Sequence, residues 1–172
     1  MRSNFLVNAV AGGILAVVMA APALLGAQGG AKVLTPADMQ NLMPASVFYR
    51  GQSATTQIRN SGGVKFSDGY FVLASLVDTG GYSTQVASKY QGYFITEVPI
   101  RVGGKELHTG AYGFGFIADN KFLITDVGGH DVLSVESSND PGMKRPRPLE
   151  VDADGNGGYR LYDGRRYVTI TR

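Results

Sequence analysis

From Ala45 onward the sequence falls into short runs of β-branched and aromatic residues, which Gly, Asp or Asn interrupts about every 8 to 12 residues. A chain punctuated this often has no room for long helices and buries its apolar surface by pairing strands. The rhythm predicts strands at 47–50, 55–59, 64–66, 70–77, 93–102, 111–117, 122–127, 132–136, 149–151, 159–162 and 167–171. Asp68-Gly69, Gly103-Gly104, Asp119-Asn120 and Asp163-Gly164 are dipeptides that accept the positive φ angles of tight two-residue turns. Strand after strand joined in this way predicts an all-β domain. Its expected form is an antiparallel meander, either closed as a small barrel or folded as a sandwich.

Alternation assigns the faces. Along 93–102, Phe94, Thr96, Val98, Ile100 and Val102 share one side and predict a core face, while Pro99 cannot donate to a ladder and marks an edge or a bulge. The run 70–77 is apolar on both faces, as for a central strand or one covered by an N-terminal helix. In 111–117, Tyr112, Phe114 and Phe116 lie on one face and Ala111, Gly113 and Gly115 on the other. Small residues there let the strand bend or let another group approach closely.

Ahead of the β-region, Thr35 can cap a helix begun by Pro36, Asp38 can reach back to the cap, and Leu34 can staple onto Met39. Pro44 stops this element, which predicts one short helix of two turns packed against a sheet. Further upstream, residues 3–31 carry no charge, and the apolar core from Ile14 to Leu25 leads into the small-residue sequences Ala21-Pro22-Ala23 and Leu25-Gly26-Ala27. That is the pattern of an export signal. The expected organisation is a signal peptide at 1–27, a spacer and short helix at 28–44, and a β-domain at 45–172, exported to the periplasm or the cell exterior with no membrane span after cleavage. An uncleaved N-terminal anchor is the competing reading of the same run.

Cleavage after Ala27 leaves 145 residues, enough to build a core unaided. The absence of cysteine excludes disulfides, thiolate metal sites and lipid attachment through an N-terminal Cys. The mature chain carries 15 basic and 14 acidic residues, so bulk charge selects no partner, and export argues against nucleic acid. Charge is uneven all the same: Lys144, Arg145, Arg147, Arg160, Arg165, Arg166 and Arg172 stand against Glu150, Asp152, Asp154 and Asp163 at the C-terminal end. Such an excess suits either solvated strand faces or a patch for anionic polysaccharide, lipid headgroups or phosphate.

The segment Leu107-His108-Thr109-Gly110-Ala111-Tyr112-Gly113-Phe114-Gly115-Phe116, followed by 122–127, resembles a group of uncharacterised exported bacterial β-proteins. The ending Tyr159-Arg160-Leu161-Tyr162-Asp163-Gly164-Arg165 is similar to theirs as well. The resemblance implies an exported β-fold and lends no activity or catalytic residue.

Among motifs with chemistry, Asp152-Ala153-Asp154-Gly155-Asn156-Gly157 matches the first half of a calcium loop, with oxygen ligands on Asp152, Asp154 and Asn156. Asp163 falls at position 12, but a strand over 159–162 would carry it roughly 13 Å away. A polar turn explains the same residues, and no cofactor is expected. His108 and His130 would need a carboxylate such as Asp126 or Asp131 beside them to hold zinc. No serine sits in a nucleophile elbow.

Aromatic rings offer the broadest candidate surface. Tyr112, Phe114 and Phe116 could lie along a ligand, and Tyr82 and Tyr93, with Tyr90, flank a Gly-, Ser- and Thr-rich loop of the kind that rims a sugar site. The expected function is a non-enzymatic structural or interaction module with a protein or polysaccharide partner. The alternative is a carbohydrate or small-ligand binder using the aromatic face, followed by a metal-assisted hydrolase. Side-chain direction decides whether those rings form a site or a core.

Overall fold

The computed structural model describes residues 30–172, so the expected signal peptide and the start of the spacer lie outside the described residues. Strand accounts for 52% of the structure and helix for 6%, in two antiparallel sheets that do not close into a barrel. Of the two expected architectures the sandwich is therefore correct and the barrel is not.

The chain opens with β1 (Lys32–Leu34) and α1 (Pro36–Met39), followed by the β2 (Ser46–Tyr49) and β3 (Gln52–Lys65) hairpin. Then come β4 (Phe71–Val77), α2 (Thr84–Ala87), β5 (Gly92–Thr96), and a small hairpin of β6 (Ile100–Val102) and β7 (Lys105–Leu107). A meander of β8 (Gly110–Ile117), β9 (Lys121–Thr125) and β10 (Asp131–Glu136) leads to β11 (Ser138–Asn139). A long loop then reaches β12 (Glu150–Ala153), β13 (Tyr159–Asp163) and β14 (Arg166–Thr171). The large sheet runs β1-β3-β4-β5-β8-β9-β10 with β2 also on β3, and the small one runs β12-β13-β14-β6-β7 with β11 on β14.

Two strands differ from the expected boundaries. The expected strand 93–102 is two strands, because Pro99 has no N–H to extend the ladder and the chain changes sheets across Glu97–Pro99. Its alternation nevertheless survives the crossing: Phe94, Thr96, Val98, Ile100 and Val102 are all buried. Conversely, the expected strands 55–59 and 64–66 are one strand, β3, whose register against β4 slips between Thr56 and Ser61. The bulge lets its first half pair with β2 and its second half with β1. The Asp119-Asn120 turn has φ of 58° and 53°, as a two-residue turn between β8 and β9 requires.

The main core lies between the sheets. Val72, Phe94, Phe114, Phe116, Phe122 and Ile124 of the large sheet pack with Val151, Leu161, Val168 and Ile170 of the small one. The outer face of the large sheet is covered too. Leu34, Met39 and Met43 sit on Leu73, and Tyr49, Tyr90 and Tyr93 form a second patch with Val47, Ala54 and Val77. The double-sided apolar pattern of β4 follows from this cover.

Helix α1 has the expected capping box: the Asp38 carboxylate accepts from the Thr35 backbone N–H at 2.9 Å and its hydroxyl at 2.8 Å. It is shorter than the expected two turns. Leu42 and Met43 both bond back to the Met39 carbonyl as a closing turn, and Pro44, which disfavours helical geometry in the residue before it, ends the element there. The hydrogen bond from Lys32 Nζ and those from Thr35 bring the Asp38 carboxyl down to about 2.

Two outcomes are expected. Phe116→Ala loses about 3 to 5 kcal/mol in denaturant unfolding, the cost of a large cavity in a filled core; a variant that unfolds like wild type would show the ring to be dispensable. Asp38→Asn lowers stability at neutral pH. Because the folded carboxyl titrates below its ordinary 3.8, the deficit narrows as pH falls through that value and closes near 2. A deficit independent of pH, in parallel melts of the two proteins, would contradict the capping role.

Candidate functional site

The candidate site is a cleft on the outer face of the large sheet, where the β2–β3 hairpin, α2 and the β9–β10 loop meet. It starts from a gap in the sheet surface. Gly113 on β8 stands between Tyr93 and Thr125 on the neighbouring strands. A Cβ at Gly113 would lie 2.6 Å from the Tyr49 ring and 2.9 Å from the Tyr90 ring. Glycine therefore lets the two rings settle onto the sheet, stacked at 3.7 Å between centroids and 10° from parallel. The close approach anticipated for the Ala111, Gly113, Gly115 face is made by these rings at Gly113 and by the Lys89 backbone and Gln91 at Gly115.

Hydrogen bonds lock the stack. Tyr49 Oη pairs with Thr125 Oγ1 at 2.9 Å, and Tyr82, set edge-on to both rings, donates its hydroxyl to the carbonyls of Tyr49 and Gln52. The Tyr90 hydroxyl is buried without a protein partner, and burial pushes its phenol up. Tyr82 and Tyr93 shift the same way, chiefly through desolvation.

Above the stack, Arg50 and Gly51 turn the β2–β3 hairpin with φ of 49° and 80°. A left-handed arginine is unusual, and the surroundings hold it: its backbone N–H donates to the Val127 carbonyl at 2.8 Å and its aliphatic stem lies against Gly129. The cleft, about 250 Å³, is lined by Tyr49, Arg50, Gln85, Val86, Lys89 and Gly129. Lys89 reaches Asp131 at 3.3 Å. Phe48, two residues before Arg50, is 59% exposed, and Val127 is 41% exposed. The arrangement offers two cations, one of them paired with Asp131, an amide and two exposed apolar groups at one end of the sheet.

The expected site residues divide sharply. Phe114 and Phe116 point between the sheets and are 0% and 2% exposed, leaving no ring face open to a ligand. Tyr112 packs on the same core and donates its hydroxyl to the His108 carbonyl at 3.0 Å. Tyr93 is buried beneath the outer patch. Tyr82 stands in that patch as a partly buried side chain beside the hairpin, so among the expected rings it lies closest to the cleft. Arg50, Gln85 and Lys89 escape sequence reading because nothing marks Arg50-Gly51 as a hairpin turn. Only the shortness of the 47–50 run points to it.

Asp152 lies on β12 opposite Arg160, and Asp154 and Asn156 lie in the β12–β13 turn. The Asp154 carboxylate accepts from the backbone N–H of Asn156 at 2.7 Å and of Gly158 at 2.9 Å, which closes the turn through protein groups. Asp163 is carried off on β13, where it pairs with Arg166. His130 pairs with Asp126 within its own loop, and hydrogen bonds from the His130 backbone and ring lower that carboxyl. Among the described residues no three His, Asp or Glu side chains converge to hold a metal. No protein-family model matches the sequence, and no curated protein or solved structure matches the chain.

The turn makes a test. Asp154→Ala should lower the melting temperature equally in calcium and in chelator, since the lost bonds run to the backbone. Calcium at a hundredfold over a dissociation constant would add about 2.7 kcal/mol to wild type. A calcium-dependent rise in wild type that the variant loses would establish a metal loop instead.

Proposed function

We propose that the chain is an exported, non-enzymatic β-sandwich that works as an interaction module at the cell envelope or outside the cell, with the hairpin end as its docking surface. The reading keeps the likeness to exported bacterial β-proteins drawn from 107–116. What supports it most is Arg50, a left-handed turn residue fixed by the Val127 carbonyl, at the same end of the sheet as the exposed Phe48 and Val127. Backbone strain that packing maintains is a frequent mark of a functional surface, and exposed aromatic and arginine side chains are common anchors in protein recognition. Edge position helps, because β2 pairs with β3 alone.

A second reading, a small-ligand binder, draws on the Gln85, Arg50 and Lys89 groups around the cleft, with a polar saccharide as the occupant. A photo-reactive phenylalanine in place of Phe48 separates the readings. In envelope fractions it should yield one discrete protein adduct, competed by unlabelled wild type and not by Arg50→Glu, while the same probe at the exposed Thr169 yields none. Identical adducts from both positions, or none from either, would sink the docking surface. Saturable sugar binding lost in Gln85→Ala would favour the second reading.

A further inference from the structure

A second surface lies at the loop between β11 and β12. The loop is tied at both ends to the β13–β14 turn: the Asp140 N–H donates to the Arg165 carbonyl and the Gly164 N–H to the Arg147 carbonyl, each at 2.9 Å. Its far end is pinned by Leu149, which is buried in the main core. Pro141, Pro146 and Pro148 fix φ along the way, and Asp140 Oδ1 accepts from the Gly142 N–H at 3.0 Å. The crest thus stands preorganised, and little conformational freedom remains to be lost on binding.

Lys144, Arg145, Arg147 and Arg165 are all exposed on this ridge. Of these, Arg147 pairs with Glu150, while Asp163 is engaged by Arg166 and Asp140 by Arg160 and the Tyr162 hydroxyl. Arg165 donates to the Met143 carbonyl through Nε and Nη2, which orients its guanidinium without neutralising it. Among the described residues Lys144, Arg145 and Arg165 have no carboxylate within ion-pair distance.

We propose that this ridge binds a linear acidic polysaccharide. Guanidinium forks match carboxylate and sulfate groups bidentately, and charges set one after another along a stiff crest suit a polymer that repeats its anions. A membrane surface fits less well. Few cations hold a protein on lipid without an apolar anchor beside them, and the exposed large apolar side chains, Phe48, Tyr70, Val127 and Val132, belong to other segments. The choice of saccharide over nucleic acid rests on the export reading, whereas the hairpin-end docking surface plays no part.

The test uses the mature chain, residues 28–172, with dextran sulfate and polygalacturonate as probes, neutral dextran as control, and phosphatidylglycerol-containing vesicles as the alternative. Wild type should bind the acidic polymers, release them as salt rises, and ignore neutral dextran. Lys144→Glu with Arg145→Glu should weaken binding about a hundredfold, roughly tenfold per lost charge-assisted contact, at an unchanged melting temperature. Arg145→Lys, which keeps the charge and loses the fork, should weaken binding less than Arg145→Glu does. Phe48→Ser and Arg50→Glu should leave polymer binding intact, so that loss of the docking surface and loss of the ridge are told apart. Binding to vesicles alone, equal binding by the charge-reversed variant, or no binding at low salt would each overturn the proposal.

Discussion

The stack of Tyr49 on Tyr90 rests where Gly113 withholds a side chain, and the outer cover of the large sheet hangs on that contact. With a Cβ at this position the rings would have to rise off the sheet to reach ordinary van der Waals contact, which strains the Tyr49 hydrogen bond to Thr125. The β2–β3 hairpin would then lose the floor beneath Arg50. Because β4, β5, β8 and β9 are apolar on the inner face as well, the sheet has no side it can leave to water. The small sheet covers one face, and α1, the hairpin and the α2 segment share the other.

That division of labour explains why the aromatic residues do such different things. On β8 alternation sends Tyr112, Phe114 and Phe116 inward, where Phe114 and Phe116 meet Phe122 in tilted and edge-on contacts. The opposite face of the same strand carries no ring of its own and receives rings from elsewhere. A ligand strip and a core strip have the same sequence alternation, and the presence of a second sheet decides between them. Here the second sheet is supplied by the β6–β7 hairpin and by β11 to β14, which return from far along the chain.

Local chemistry was legible in the sequence to the extent that it was local. The Thr35–Asp38 box, the Asp119-Asn120 turn and the inward face of 93–102 depend on neighbours within a few residues, and each formed as the residues require. The change of sheet at Pro99 was legible only as an edge or a bulge, since proline forbids a ladder bond without saying where the chain goes next. Open sandwich against closed barrel turns on whether strands from distant segments pair at the seams, which periodicity does not encode. The cleft was least visible of all. Tyr82 pointed toward it, but Arg50 comes from the β2–β3 turn and Gln85 and Lys89 from the α2 segment, two pieces of chain that meet over the Gly113 gap, and left-handed arginine has no sequence mark.

Charge shows the same dependence on context. The C-terminal end holds seven basic residues that look alike in a sequence count, yet the fold splits them by environment. Arg160 lies over the Tyr167 ring at 4.6 Å, Arg166 over Phe116 at 5.4 Å and Arg172 over Phe66 at 5.0 Å. Each of these also has a carboxylate partner, so ring and ion pair together fix the guanidinium against the rim of the sandwich. Lys144 and Arg145 face no ring and no acid, and Arg165 spends its donors on a carbonyl that leaves its charge in place. A patch that only balanced the acids of this region would distribute its pairs evenly. Instead Asp140, Asp163 and Asp68 are drawn to the arginines that seal the core, Glu150 alone goes to the crest at Arg147, and Lys144, Arg145 and Arg165 are left uncompensated along the ridge.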